Sequence, residues 1–507
     1  MADLNSSQHQ AVHHSGQHLL IVAGPGTGKT HTLTQRILHF SQRLKDQERI
    51  LAITFTNKAA HEMRERVSSQ FPQWQDRIVI GTFHYFGLSL LRQYAQRIGI
   101  SENFKIAAPE DIAEGIKEIW PQWKASQRSE ILEQASRWKS VEFQNSPSEE
   151  VRQYQECLQK KGWLDFDDLL LNPVNLLKEC EDVRKEIQQR YRFIFVDEYQ
   201  DISPIQHQFL KLLVGPESHL TAIGDPNQAI YGFRGADVKF FESFTEDFPG
   251  AQATSLSENY RSSPNLLSAS SQIMAQGRSL HVPELTAKIY TEGRLVIHET
   301  PTDKAEAEYV VHQIEKMVGG TSMFSHDSGR AEISDSAARS FHDIVVLYRL
   351  KAQRRCLEEA LNRSGIPYRV TEQINGNPED LVDPFSFRQF REGDNAEKVS
   401  LMTIHASKGL EFSVVFIVGC EEGLIPLDIA GMESDREEER RLFYVGMTRA
   451  KEQLFLTRSG RRFLYGKSYE NAASPFLADI KEELKEYEKL QQLKRKKRNE
   501  DQMSLFS

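Results

Sequence analysis

An α/β protein of two parallel-sheet units, the first interrupted by a helical insertion, is the fold class this sequence predicts. Three observations predict it. An apolar run, Leu19-Leu20-Ile21-Val22, leads through Ala23-Gly24-Pro25-Gly26-Thr27-Gly28-Lys29-Thr30 into a helix-like stretch from His31 to Phe40. Short apolar runs then alternate with helical stretches through the first half, the pattern of a parallel sheet covered by helices. A second series of such strands begins near Leu256.

In chain order, Ile50–Phe55 reads as a strand followed by a helix from Asn57 to Val67, and Ile78–Ile80 as a strand ending at Gly81-Thr82-Phe83-His84. Residues from about 95 to 190 read as helical and charged, with Trp120, Trp123, Trp138 and Trp163 expected between helices as core. The sheet resumes at Phe193–Val196, closing on Asp197-Glu198, and at His219–Ile223, closing on Gly224-Asp225-Pro226-Asn227-Gln228. In the second unit the strands are Leu295–His298, Ile344–Tyr348 and Val414–Val418, with loops over 319–340 and 372–395. From Glu482 to Arg498 the pattern predicts a charged helix with a basic end.

A chain of 507 residues exceeds one core, so three or four domains are expected. No apolar run of about 18 residues occurs, so no membrane span is expected. The polar start (Asp3, Asn5, Gln8) lacks the apolar segment of a signal peptide. Cys157, Cys180, Cys356 and Cys420 are scattered without metal-ligand spacing and suit a reducing, cytoplasmic setting. A net charge of −9 argues against a surface coated in cation, but a nucleic-acid groove needs only several basic groups on one face.

Strand, Gly-rich loop and helix together predict a triphosphate cradle. Small residues let backbone N–H groups point at phosphates, and the helix N-terminus adds its positive end. Gly24, Gly26, Thr27 and Gly28 would form that cradle, Lys29 would reach the β and γ phosphates, and the Thr30 hydroxyl would ligate Mg²⁺. Two acids closing a buried strand complete such a site: Asp197 for the metal, Glu198 to activate the attacking water. Gln228, on a neighbouring strand, could sense the γ phosphate. Arg261 and Arg449 are arginine-finger candidates, able to stabilise the charge of a loose transition state.

With these motifs in this order, the chain resembles the superfamily 1 DNA helicases of the UvrD/Rep/PcrA type. Leu4–Val12 looks like the adenine-reading Gln motif, which assigns Gln8; Thr54–Ala60 and Gly81–His84 look like DNA-contacting motifs. Val196–Asp201 is similar to the Walker B motif, Gly224–Ala236 to motif III and Thr403–Phe412 to motif V. The resemblance implies two RecA-like lobes: 1A over 1–94 and 191–255, 2A over 256–462. It further implies a helical 1B insertion over 95–190 and a charged helical tail over 463–507. It implies that Tyr260 and Arg36 sandwich the adenine, Glu411 contacts the ribose and phosphate side, and Arg261 and Arg449 reach the γ phosphate. For the DNA track it implies Phe55, Asn57, Phe83, His84, Tyr231, Phe233, Arg234 and His405, with aromatic rings taking stacked bases. Phe233 stands where the family carries Trp, which implies weaker stacking.

Only roughly thirty residues separate Val370 from Val399, too few for the family's 2B domain, which would need about a hundred or more. The 2B insertion is therefore expected to be reduced or absent. The chain ends in Gln502-Met503-Ser504-Leu505-Phe506-Ser507 after a basic run. QMSLF resembles the bacterial sliding-clamp-binding motif, with Gln502, Leu505 and Phe506 as anchors on a solvated tail. The expectation is an ATP- and Mg²⁺-dependent 3′→5′ DNA helicase or translocase on single strands and single-strand/duplex junctions. The alternative is a clamp-recruited, DNA-dependent ATPase that displaces proteins without processive unwinding.

Overall fold

The computed structural model describes residues 4–70, 72–277, 284–289, 291–319, 339–371, 397–429 and 432–488. Its first sheet has strands β1 (His18–Ala23), β2 (Ile50–Thr54), β3 (Ile78–Thr82), β4 (Phe193–Val196), β5 (His219–Gly224) and β6 (Gln252–Leu256). Their spatial order is β3-β2-β4-β5-β1-β6, parallel throughout. β2 and β4 are buried at every position, as strands covered on both faces must be. The order brings the carboxyl ends of β1, β4 and β5 to one edge, where open parallel sheets bind ligands.

Around this sheet lie helices α1 (Ser6–His13), α2 (Lys29–Ser41), α3 (Asn57–Gln70) and α4 (Phe83–Tyr94). The insertion supplies α5 (Pro109–Ile119), α6 (Ala125–Ser140), α7 (Glu149–Lys161), α8 (Asp168–Glu179) and α9 (Glu181–Arg190). Only α5 to α7 form a separate core, built on Ile116, Trp120, Ile131, Val151 and Tyr154. α8 and α9 instead bury Leu170, Val174, Leu177, Val183 and Ile187 in the first lobe. The insertion is thus narrower than 95–190, because the apolar stripes of its last two helices complete the lobe that precedes it. The tryptophans do pack between helices, Trp120 stacking on Trp123 with ring centroids 4.0 Å apart.

The second sheet contains β7 (Arg294–Thr300), β8 (Ile344–Tyr348), β9 (Tyr368–Thr371), β10 (Val399–Thr403), β11 (Phe412–Ile417), β12 (Ala450–Ser459) and β13 (Glu486–Tyr487). It is ordered β9-β10-β8-β11-β12-β7-β13 and is also parallel throughout. Helices α10 (Pro204–Leu213), α11 (Pro264–Ala275), α12 (Asp303–Val318), α13 (Arg354–Arg363) and α14 (Arg436–Met447) complete the longer elements.

Two further expectations are corrected. Residues 230–236 fall within the first lobe by sequence, yet Ile230 and Tyr231 are buried in the second lobe's core with Leu266, Val345 and Leu442. Of the helix expected over Glu482–Arg498, the described part is instead a 3-10 turn, Glu482–Leu484, followed by β13, which pairs with β7 at the sheet edge, and the remainder lies outside the described residues. The loops expected over 319–340 and 372–395 fall mostly outside the described residues, as does the whole peptide bearing Gln502, Leu505 and Phe506.

Candidate functional site: a nucleotide cleft between the lobes

The loop after β1 is shaped by glycines. Gly26 and Gly28 have φ of 68° and 81°, left-handed values that suit Gly at no steric cost. At Gly26 a Cβ would also stand 2.6 Å from Arg261 Cβ, so the second lobe packs directly on the loop. Gly24 is crowded likewise, its Cβ position lying 2.8 Å from Leu285. The Thr27 hydroxyl donates to Gly24 O at 2.8 Å and closes the turn. From the other lobe, Asn259 Nδ2 donates to Pro25 O at 2.6 Å and Tyr260 N–H to Gly26 O at 2.8 Å.

In front of the loop opens a cleft of about 1520 Å³. The first lobe lines it with Lys29, Thr30, Glu198 and Gln228, the second with Tyr260, Arg261, Glu411 and Arg449. With Gly26 and Gly28 of the loop, ten of the residues expected at the nucleotide are thus brought together around one space. Asp197 Oδ1 accepts the Glu198 N–H at 2.9 Å just behind it.

Glu198 occupies left-handed backbone at φ 50°, a costly conformation for a residue with a side chain and one found at functional sites. Burial alone would raise its pKa, but Lys29 and Lys408 outweigh burial and hold it at about 2. Asp197 is pushed the other way, to about 7, by burial and by Glu198 beside it. The two acids therefore differ in charge: Glu198 is held ionised by the two lysines, while burial and Glu198 favour the neutral form of Asp197. Thr30 and Asp197 offer oxygen donors only, which fits Mg²⁺ held largely through phosphate oxygens and water. Among the described residues no group of three or more His, Cys, Asp or Glu is arranged to hold a metal alone.

Arg449 is 1% exposed. Its Nε donates to Val445 O at 2.9 Å, its Nη1 to Leu410 O at 3.0 Å, and its Nη2 across the lobe boundary to Gln228 Oε1 at 3.3 Å. Burial, then Arg261, lowers its pKa to about 9, so the cation is held in place by geometry against an unfavourable field. Arg261 Nε donates to Glu411 Oε2 at 2.7 Å, and Lys451 Nζ stands 2.8 Å from Glu411 Oε1. Glu411 thereby orients two cations on the second-lobe wall.

One adenine assignment is overturned. Arg36 is buried in the first lobe, with Nε on Thr221 Oγ1 at 2.8 Å and Nη1 on the carbonyls of Ala11, Val12 and His14. It ties α1 to α2 and β5, and no face of its guanidinium is open to a base. His31, in the first turn of α2, lines the cleft instead. Gln8 stands behind the loop: its Nε2 donates to Thr27 O at 3.0 Å and its Oε1 accepts from Asn5 N–H at 3.1 Å. Tyr260 is 48% exposed and its hydroxyl is fixed by Glu258 and Asn5.

Lys408 was not among the expected site residues, although it lies within the Thr403–Phe412 motif. It pairs with Asp201, donates to Gln228 O at 2.6 Å and lies 3.8 Å from Glu198, joining the lobes beneath the cleft.

The aromatic residues sort sharply. Phe83, 4% exposed, belongs to the first-lobe core near Phe209 and presents no stacking surface. Tyr231, 5% exposed, is covered by Phe55 at a centroid distance of 4.8 Å, with Lys408 over its ring. Both are corrected from open platform to packing residue. His84 is half-buried against Phe166 of the insertion, 3.9 Å between centroids. Phe233, by contrast, is 64% exposed, with His405 edge-on at 5.5 Å and Arg234 at 5.5 Å. Asn57 opens α3 directly after β2.

Residues 4–249 match the UvrD/REP helicase N-terminal domain, and residues 254–375 and 386–460 match the UvrD-like helicase C-terminal domain. The ATP-dependent DNA helicase PcrA of Leuconostoc citreum is 28% identical over 661 aligned positions, covering 95% of this chain and 85% of the relative. PcrA of Staphylococcus epidermidis is 28% identical, covering 95% and 87%, and that of Staphylococcus aureus 27% identical with the same coverage. Because 661 positions exceed the 507 residues of this chain, the relative carries stretches without a counterpart here.

Proposed function

Because this chain belongs to the UvrD/REP helicase family, we propose that it hydrolyses ATP in the cleft between its lobes and uses the closure to move along single-stranded DNA. The observation that carries the reading is the facing of Lys29 and Glu198 from one lobe by Arg261 and Arg449 from the other.

In this reading the loop N–H groups and Lys29 bind the β and γ phosphates, while Thr30 and Asp197 would hold Mg²⁺. Held there, the ion would supply positive charge against the phosphate oxygens. Glu198, ionised and aimed from strained backbone, takes the proton of the attacking water. Arg261 and Arg449 meet the charge that spreads over the γ phosphoryl oxygens. Gln228, just past β5, joins Arg449 across the lobe boundary, so the groups that would meet the γ phosphate are tied to both lobes. Phe233, His405 and Arg234 form the surface on which bases stack.

The family resemblance supports a polarity of 3′→5′. The short connection between β9 and β10, and the longer alignments of the PcrA relatives, support a motor without a full 2B domain. That favours translocation and displacement of bound proteins over long unaided unwinding. It leaves recruitment by a sliding clamp through Gln502, Leu505 and Phe506 as the second reading. The test is ATP turnover with and without single-stranded DNA, followed by strand displacement on 3′- and 5′-tailed duplexes with and without clamp. DNA-stimulated turnover, displacement from 3′ tails only, and extension of displacement by clamp are expected. Turnover indifferent to DNA would overturn the motor.

A further inference from the structure

The turn that presents Phe233 is capped by a helix far from it in sequence. Residues Gly232–Arg234 form a single 3-10 turn whose N-cap, Tyr231, makes no side-chain capping bond. A turn of this kind leaves its first N–H groups without partners in its own backbone. Glu438, in the first turn of α14, supplies an acceptor: Gly232 N–H donates to Glu438 Oε1 at 3.1 Å. The approach is close enough that a Cβ at Gly232 would collide with the Glu438 carboxylate, so the glycine makes room for the cap. Glu438 and Gly232 are 206 residues apart in sequence, and the bond crosses from the second lobe to a loop that the chain threads out of the first.

The same helix leads to the nucleotide. α14 runs from Arg436 to Met447, and Arg449 follows two residues later, donating to Gln228. The neighbours of Glu438 hold the helix start firmly: Glu439 takes Arg349, and Arg440 takes Asp479 and Ile273 O. One rigid element therefore has its first turn on the Phe233 loop and its far end at the γ-phosphate side of the cleft.

Resting on the reading of Phe233 as a single-strand stacking surface, we infer that Glu438 is the positioning residue for that surface: it caps the Gly232–Arg234 turn and ties the direction of the Phe233 ring to the helix that ends at Arg449. Glu438 is not among the residues lining the nucleotide cleft; it acts through the backbone of Gly232, next to Phe233.

The experiment compares full-length wild type with Glu438→Ala, Glu438→Gln, Gly232→Ala, Phe233→Ala and the Glu438→Ala/Phe233→Ala pair. The readouts are ATP turnover without DNA and the oligo-dT concentration giving half-maximal stimulation. Loss of a well-placed stacking ring is expected to raise that concentration by about five- to tenfold in Glu438→Ala. DNA-free turnover and the maximal stimulated rate should stay within about twofold, since no contact to the cleft is lost. Glu438→Gln, which keeps an acceptor oxygen, should restore most of the affinity, and Gly232→Ala should mimic the alanine variant. In the Phe233→Ala background Glu438→Ala should add nothing, as a double-mutant cycle requires of residues acting through one another. An unchanged half-maximal concentration in both Glu438→Ala and Gly232→Ala, or fully additive effects with Phe233→Ala, would overturn the assignment. Absence of DNA stimulation in the wild type would instead overturn the motor reading on which it rests.

Discussion

At the scale of single residues, half-buried histidines held neutral by their surroundings make stability depend on pH. Burial lowers the pKa of His84 to about 3, and burial followed by Arg349, Arg234 and Lys408 lowers that of His405 to about 3. A base whose folded pKa is depressed is neutral in the native state, while the unfolded chain takes up its proton near pH 6.5. The unfolded state therefore binds more protons between about pH 6.5 and 3, and stability falls as pH falls through that window. The melting temperature should drop between pH 7 and pH 5, and His84→Phe, which keeps the ring against Phe166, should lessen the drop. An identical pH dependence in that variant would contradict the account. Side-chain burial is also what the sequence least discloses. Lys29, Thr30 and Glu198 are legible as cleft residues because phosphate chemistry demands a cation and a hydroxyl where the Gly-rich loop enters its helix, and an acid just past a buried strand. Arg36 was misread because a cation two turns along α2 cannot be told from one at the loop until α1 and β5 close over it. Tyr231 and Phe233, two positions apart, look alike in sequence, and packing buries one and exposes the other.

At the scale of elements, the helical insertion is locked by a buried ion network. Lys139 on α6, with a side chain 0% exposed, pairs with Asp165 at 2.6 Å and Asp168 at 2.8 Å. Tyr154 on α7 donates to Asp165 Oδ2 at 2.9 Å. Asp168 opens α8, which packs in the first lobe, so the network clamps the insertion to the sheet it interrupts. Removing one partner of such a pair leaves uncompensated buried charge, at a cost of about 3–5 kcal/mol. Lys139→Met is expected to lose that much in urea unfolding at neutral pH, and a loss below about 1 kcal/mol would mean that the network does not brace the insertion. The strands were legible as elements, because parallel strands covered on both faces read as continuous apolar runs. The insertion's boundary was not, since α8 and α9 are amphipathic in either assignment and only packing decides which core they join.

At the scale of the molecule, two parallel sheets meet so that neither side of the cleft is complete alone. Lys408 reaches Asp201 and Gln228 O, Arg449 reaches Gln228, and Asn259 and Tyr260 hold the phosphate loop from outside its own lobe. Motif order in the sequence anticipated the two lobes, but not that residues 230–236 would fold into the second one. That exchange is a tertiary choice: Ile230 and Tyr231 follow β5 in the chain and find their apolar neighbours on the far side. It means that relative movement of the lobes has to act on the Phe233 turn, which belongs by connection to one and by packing to the other. The most direct measurement of the shared cleft is single-turnover ATP hydrolysis by Arg449→Ala alongside equilibrium binding of a fluorescent ATP analogue. A second-lobe arginine acting on transition-state charge predicts a fall in hydrolysis of about 10³-fold or more, with binding weakened less than about tenfold. Hydrolysis at the wild-type rate in that variant would contradict it.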